Sequence, residues 1–224
     1  MQIPELTIPT IAISGTTDRF PVRRIFCVGQ NYADHAREMG SDPEKQQPFF
    51  FSKPADAVVA NGTTLPFPSR TENLHHEVEL VVALGAGGKD VAPDDAAALI
   101  FGAAVGIDLT RRDLQAVAKA GGKPWDMAKG FDRSAPVAAL TRGVPPGTGS
   151  IALTIDGDAR QSGDLSMMIM TVAQIIATLS TYVELAPGDL VFTGTPAGVG
   201  PIRRGETVRA TIDGFEPLEV TFTG

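Results

Sequence analysis

LHHEVELVVALG, residues 74–85, is the stretch whose reading decides the fold. From Leu80 to Leu84 every position is apolar, the pattern of a strand covered on both faces. Two acids, Glu77 and Glu79, sit just ahead of that run. Side chains two apart on a strand point the same way, so the glutamates share a face. At the usual rise their Cβ atoms lie roughly 6–7 Å apart. Two ionised carboxylates that close in a dry place repel, and each is costly to desolvate. Two readings follow. Either the strand end emerges into water with both glutamates solvated, or a cation holds them. Oxygen-only ligands suit a hard ion, Mg²⁺, Mn²⁺ or Ca²⁺.

Working outward, Gly and Pro cut the chain into many short elements, as in a β-rich domain. Residues 1–20 suit an early strand or hairpin, and RRIFCVG (23–29) a strand. NYADHAREMG (31–40) reads as a short helix, with Asn31 as N-cap and Gly40 as stop. Residues 46–59 read as extended and broken by Pro48 and Pro54. Helices are expected over 93–101, 111–122 and 166–183, the last being the longest and the most apolar. AAVGIDLT (103–110) reads as a buried strand. Asp156-Gly157 marks a hairpin turn within 151–163, and Asp213-Gly214 another near the C-terminus. GDLVFTGTPAGVG (188–200) is a strand entering a Gly-rich loop. With no regular βαβ rhythm, the class is α+β. A small N-terminal piece, 1–21, precedes one catalytic-sized domain, 22–224.

The chain has 224 residues, 43% of them hydrophobic, and a net charge of −7. That balance argues against nucleic acid and anionic membrane as partners, but a local basic cluster could still take an anionic substrate. The longest apolar run, Ala96 to Ile107, is too short to span a bilayer. No basic and apolar leader pattern is found, so a cytoplasmic location is expected. The single cysteine, Cys27, reads as a small buried hydrophobe and fits a reducing compartment.

Asp108 ends an apolar strand just before a helix. It is either a third oxygen ligand or an N-cap onto the next amides. Three carboxylates around a divalent ion would leave positions open for water and substrate, as in a catalytic site. His35 and Glu38 share a helix face, an arrangement that can orient an imidazole to activate water and that also arises by chance on surface helices. Lys129 and Gln115 could stabilise a developing oxyanion, or be an ordinary surface lysine and glutamine. TGTPAGVG (193–200) lacks the GK[ST] ending of a P-loop, and no GxGxxG opens a helix, so nucleotide binding is rejected. A cradle for a carboxylate, with Thr195 as donor, fits better. HExxH and GxSxG are absent from the sequence.

The ordered series VGQNYADHAREMG, PFFFSKPADAVV, HHEVELVVALG, GIDLTRRDLQ, KPWDMAKGFDRSAPV and GDLVFTGTPAGVG resembles the fumarylacetoacetate hydrolase family, from about residue 22 onward. Within it the chain looks most like the bacterial fumarylpyruvate and acylpyruvate hydrolases. The resemblance implies a β-roll, usually a homodimer, and a Mg²⁺ or Mn²⁺ ion on Glu77, Glu79 and Asp108. It places His35 and Glu38 as a water-activating dyad on a lid helix and Lys129 and Gln115 on substrate oxygens. The implied substrate-binding set is Thr195, Gly194, Gln30 and Arg111. Many relatives carry Arg at the position of Gln30, so Arg111, Arg112 and Arg133 are candidates for the displaced charge. The implied reaction is hydrolysis of the C–C bond of an acylpyruvate, a small keto acid or dicarboxylate of aromatic catabolism. The same family chemistry leaves open oxaloacetate decarboxylation, isomerisation or hydration of a hydroxy-diene-dioate, and a non-catalytic binding role.

Overall fold

A mixed sheet of eight strands is built around Val78–Leu84. Its order runs Phe49–Lys53, Arg24–Gly29, Asp189–Phe192, Val78–Leu84, Ile100–Ile107, Ala135–Val137 and Val58–Ala60, with Thr141–Arg142 pairing onto Ile100–Ile107. The computed structural model describes residue 3 and residues 5–42 and 49–224. The predicted extended segment 46–59 therefore starts outside the described residues. From residue 49 it comprises Phe49–Lys53, a 3₁₀ turn and Val58–Ala60.

The unbroken apolar run has the expected cause: both faces of Val78–Leu84 are packed. Val78, Leu80, Val82 and Leu84 enter the larger core, together with Ile175, Ile176 and Leu179 of the helix Val172–Tyr182. That core also takes the inner face of a second sheet of five strands, ordered Asp158–Asp164, Ser150–Ile155, Thr207–Ile212, Leu218–Phe222 and Thr63–Leu65. Val81 and Ala83 enter a smaller core with Ile25, Cys27 and Phe192, closed by Ile11 and Phe20 of the hairpin Thr10–Ala12/Arg19–Pro21. Glu79 shares the side of Val81 and Ala83, at the end of the strand where that core gives way to a cleft.

The fold corrects four expectations in detail. The stretch 74–85 is two strands, Leu74–His76 and Val78–Leu84, with Glu77 at the junction. Leu74–His76 leaves the large sheet to pair with Thr110–Arg111 and Gly200–Ile202. Residues 93–101 make a 3₁₀ helix, Pro93–Leu99, rather than an α-helix. The expected helix 166–183 starts later: Leu165–Met167 is a 3₁₀ turn and the α-helix is Val172–Tyr182. Thr171 and Gln174 form a capping box that sets this start, each satisfying a backbone N–H of the first turn. Asn31 does not cap the short helix Ala33–Glu38, where Tyr32 takes the cap position without a side-chain bond. The Asn31 amide is used across the fold instead, donating to Met170 O at 3.0 Å and Thr193 O at 2.8 Å and accepting from Met170 N at 2.7 Å. It joins the base of that helix to the end of strand Asp189–Phe192.

Candidate metal centre and active site

Glu77, Glu79 and Asp108 meet at one point, each offering a carboxylate oxygen, and these oxygens lie within 4.8 Å of one another. Glu77 is 5% exposed, Glu79 2% and Asp108 0%, which rejects the solvated strand end. Strand geometry accounts for the first pair. Asp108 follows Ile107, the partner of Val78 across the ladder, and its N–H donates to Glu77 O at 2.9 Å. Adjacent antiparallel strands thus deliver all three acids to one end of the sheet. Asp108 does not cap the following helix.

Buried cations surround the acids. Lys129 Nζ donates to Asp108 Oδ2 at 2.6 Å and Glu77 Oε2 at 2.8 Å. Arg112 Nη2 donates to Glu77 Oε1 at 2.5 Å. Lys53 Nζ stands 2.8 Å from Asp108 Oδ1, donating meanwhile to the carbonyls of Leu109 and Lys129. That contact is an ion pair without hydrogen-bond geometry, since Asp108 Oδ1 has no directed donor.

These neighbours split the two glutamates electrostatically. Burial pushes Glu77 up, but Lys129 and Arg112 outweigh it and hold its carboxyl below the usual range. Burial also pushes Glu79 up, and there Asp108 and Glu77 reinforce it. Lys129 and the Gly194 N–H only partly offset that rise. Burial disfavours the Lys129 ammonium, yet Asp108 and Glu77 raise its pKa above the ordinary value. The residues fit a hard divalent cation: three converging oxygens, one orphaned lone-pair oxygen on Asp108, and one glutamate lacking its own side-chain cation.

His35 lies over this centre, 5% exposed, with Nδ1 3.2 Å from Glu38 Oε2. Glu38 also accepts from Gly198 N at 3.2 Å, which ties the helix Ala33–Glu38 to the Gly-rich loop. Gln30, Gln115, Lys129 and Thr195 line the same cleft with Glu77, Glu79 and His35. Gly194 lies beneath it, its N–H donating to Glu79 Oε2 at 2.7 Å. Only glycine suits that position: φ is +96°, and a Cβ would lie 2.7 Å from the Asn31 Cβ.

Fumarylacetoacetate (FAA) hydrolase C-terminal is the family whose model matches, over residues 24–223. The chain belongs to the fumarylacetoacetate hydrolase family. It superposes on the crystal structure of fumarylpyruvate hydrolase from Pseudomonas aeruginosa in complex with Mn²⁺ and pyruvate, with a TM-score of 0.96 and 48% identity, covering 100% of this chain and 99% of that one. Fumarylpyruvate hydrolase from Ralstonia sp. is 41% identical over 80% of this chain and 95% of its own length. An oxaloacetate tautomerase of Escherichia coli (strain K12) is 40% identical over 87% of this chain and 90% of its own.

Arg111 is the predicted site residue of this family member that the structure places elsewhere. Its guanidinium stacks on Phe131 at 4.3 Å and lines a separate cavity with Arg133, Phe67 and Phe222. Arg112, one residue on, faces the acids instead. Gln30 holds a left-handed backbone, φ 60°, and its amide donates to Ser41 Oγ at 3.1 Å.

Sequence reasoning missed Lys53 and Gln161. Lys53 is 3% exposed and Gln161 2%. Gln161 Oε1 lies 2.9 Å from His76 Nδ1 and accepts from Val78 N at 3.1 Å. Its Nε2 donates to Thr195 Oγ1 and Pro196 O, both at 2.8 Å. One side chain from the five-stranded sheet thus clasps the Gly-Thr-Pro loop to the residues on either side of Glu77, the His76 ring and the Val78 N–H. The aromatic wall of Phe49, Phe51 and Trp125 was also unforeseen. The Phe49 ring lies so close over Gly29 that a Cβ there would come within 2.0 Å of it.

Proposed function

We propose that this protein hydrolyses the C3–C4 bond of an acylpyruvate, fumarylpyruvate in the favoured case, with Mg²⁺ or Mn²⁺. The observation that carries the reading is the His35–Glu38 pair directly over the acidic triad. Hydrolysis needs an activated water, and decarboxylation does not.

A divalent ion, when bound by Glu77, Glu79 and Asp108, supplies Lewis-acid polarisation of the keto acid's oxygens. The remaining chemistry belongs to side chains. An ionised Glu38 can only accept a hydrogen bond, so His35 carries its proton on Nδ1 and leaves Nε2 free as base. His35 takes a proton from water, and the hydroxide oxygen bonds to C4. Lys129 spends two of its three donors on Asp108 and Glu77 and keeps the third for a substrate oxygen. Gln115 accepts from Arg112 at 2.5 Å through its carbonyl, so its NH₂ is left to donate into the cleft. Breaking C3–C4 leaves its electron pair on C3, which takes the proton back from His35. The products are pyruvate and a second acid. The cleft has a volume of about 40 Å³, room for a few waters but not for the whole keto acid.

Oxaloacetate tautomerisation is the second reading, supported by the similarity to the Escherichia coli tautomerase. The wider setting, a homodimer acting in the cytoplasm on products of aromatic breakdown, follows from the family reading alone. Steady-state assays on fumarylpyruvate, a short acylpyruvate and oxaloacetate, with Mg²⁺, Mn²⁺ or EDTA, separate these cases. Fast chelator-sensitive loss of enol absorbance with fumarylpyruvate is expected. Turnover of oxaloacetate alone would replace the hydrolase reading by the second.

A further inference from the structure

The helix Arg112–Ala120 forms one wall of the cleft, and it carries a graded row of polar groups. Arg112, Gln115 and Lys119 all line the cleft. Their spacing of three and then four residues puts them on one helix face. The first two are committed near the acids: Arg112 to Glu77 and Gln115, and Gln115 to Arg112. Lys119 stands at the other end of the row. At 1.5 Å per residue its backbone is about 10 Å along the helix from Arg112. Among the described residues Lys119 has no carboxylate partner, and its Nζ donates to Met39 O at 3.3 Å. Met39 follows the helix that bears His35 and Glu38. Phe49 and Trp125 line the same cleft, ring centroids 5.3 Å apart and edge to face. They make an apolar wall suited to a flat carbon chain and offer no charge.

We infer that Lys119 binds the far carboxylate of a long dicarboxylate keto acid, so that the cleft measures substrate length as well as charge. The inference rests on the hydrolase reading above and names the substrate class for it: a seven-carbon chain with a keto-carboxylate head at the acids and a carboxylate tail at the mouth. Gln30, which also lines the cleft, carries no charge, and Arg111 faces another cavity. Lys119 is therefore the cation available for the tail on this wall. A four-carbon diacid is shorter than the about 10 Å between the two ends of the row, and a monocarboxylate acylpyruvate has no tail charge to offer. Because Lys119 also holds the Met39 carbonyl, capture of a tail carboxylate and closure of the helix Ala33–Glu38 involve the same ammonium.

The test is a calorimetric titration of the full chain, loaded with Mn²⁺, with 2-oxoheptanedioate and 2-oxoheptanoate. Both carry the same head and chain length, neither has the 4-oxo group that cleavage needs, and they differ in the tail carboxylate. The wild type should bind the diacid about two- to fivefold more tightly, the size of an ion pair to an exposed lysine. Lys119→Met should abolish that advantage and Lys119→Arg should keep it. A wild type without preference, or a preference that survives Lys119→Met, overturns the inference. Failure of the hydrolase reading shows separately, as absence of acylpyruvate cleavage by a protein that still prefers the diacid.

Discussion

The backbone N–H of Gly194 donates to Glu79 Oε2 at 2.7 Å, so the loop after the strand Asp189–Phe192 is anchored on one of the three acids. Glu79 is also the acid that burial, Asp108 and Glu77 push up, while Lys129 and Arg112 hold Glu77 down. Its charge is the one most in need of a cation. Glu79→Gln keeps an acceptor for Gly194 and removes the charge. Its Mn²⁺ affinity should fall by more than the ~10–100-fold typical of losing an outer-sphere partner, and turnover should disappear. Titration calorimetry with Mn²⁺ checks this, and unaltered affinity would remove Glu79 from the ligand set.

Among the described residues His35 makes no hydrogen bond to an acid of the triad, and its ring is held by Glu38. Metal binding and proton transfer are thereby separable. His35→Ala should keep Mn²⁺ and oxalate binding and lose kcat by ~10²–10⁴, the range for a general base. Glu38→Gln should lose less, since the amide can still hold the imidazole. Parallel titrations and single-turnover rates decide the matter. Loss of oxalate binding in His35→Ala would make His35 a binding residue.

Gln161 satisfies four groups with one amide: His76 Nδ1, Val78 N, Thr195 Oγ1 and Pro196 O. All lie in the interior, where an unpaired polar group costs about 1–3 kcal/mol. Gln161→Leu should destabilise the fold by roughly 3 kcal/mol or more in urea unfolding and raise KM more than it lowers kcat, because Thr195 loses its orientation while the dyad stays intact. Gln161→Glu, which restores only the acceptor half, should recover part of the stability. An unchanged KM in both variants would confine Gln161 to a packing role.

Much of this site could be read from the chain, and the parts that could not share a cause. The doublet Glu77/Glu79 and Asp108 sit beside long apolar strands, where an acid stands out against its surroundings. Alternation then fixes which way it points. Lys53 ends the short strand Phe49–Lys53, next to Pro54, with no periodicity to show its face, and its partner Asp108 is 55 positions away. Arg111 and Arg112 are adjacent, and choosing between them needs the phase of the helix Arg112–Ala120. The direct passage from the strand Thr110–Arg111 into that helix sets the phase. The apolar methionines of 166–170 continue the helical pattern backwards, although Thr171 and Gln174 already spell the true beginning of the helix. The Gln161 clasp joins two sheets, and no local pattern announces such a contact.

Cys27 is fully buried in the smaller core, and burial, reinforced by Asp108, raises its thiol well above the usual 9.0. Folding therefore favours the neutral thiol. The stabilisation is complete below about pH 9 and is lost as the pH rises from there toward the raised folded value. At pH 7 Cys27→Ala should cost about 1 kcal/mol through the small cavity it leaves. That cost should shrink between pH 9 and 10, as the wild type alone loses the thiol's contribution. Urea unfolding of both proteins at pH 7, 9 and 10 checks the sign, and a constant difference would contradict it. The native thiol should also resist alkylation at neutral pH.

Lys53 offers the sharpest test of how the acids are balanced. Its ammonium is fully buried, hydrogen-bonds the Leu109 and Lys129 carbonyls, and faces Asp108 Oδ1 at 2.8 Å. Removing one partner of a buried pair typically costs about 3–5 kcal/mol, because the other charge is stranded. Lys53→Met should destabilise the metal-free protein by that order, measured by thermal or urea unfolding. A bound divalent cation would compensate for part of the missing charge. Saturating Mn²⁺ should therefore stabilise Lys53→Met by more than it stabilises the wild type. Equal stabilisation of the two proteins would mean that Lys53 balances Asp108 independently of the metal, and that the orphaned Asp108 oxygen belongs to the core and not to the metal centre.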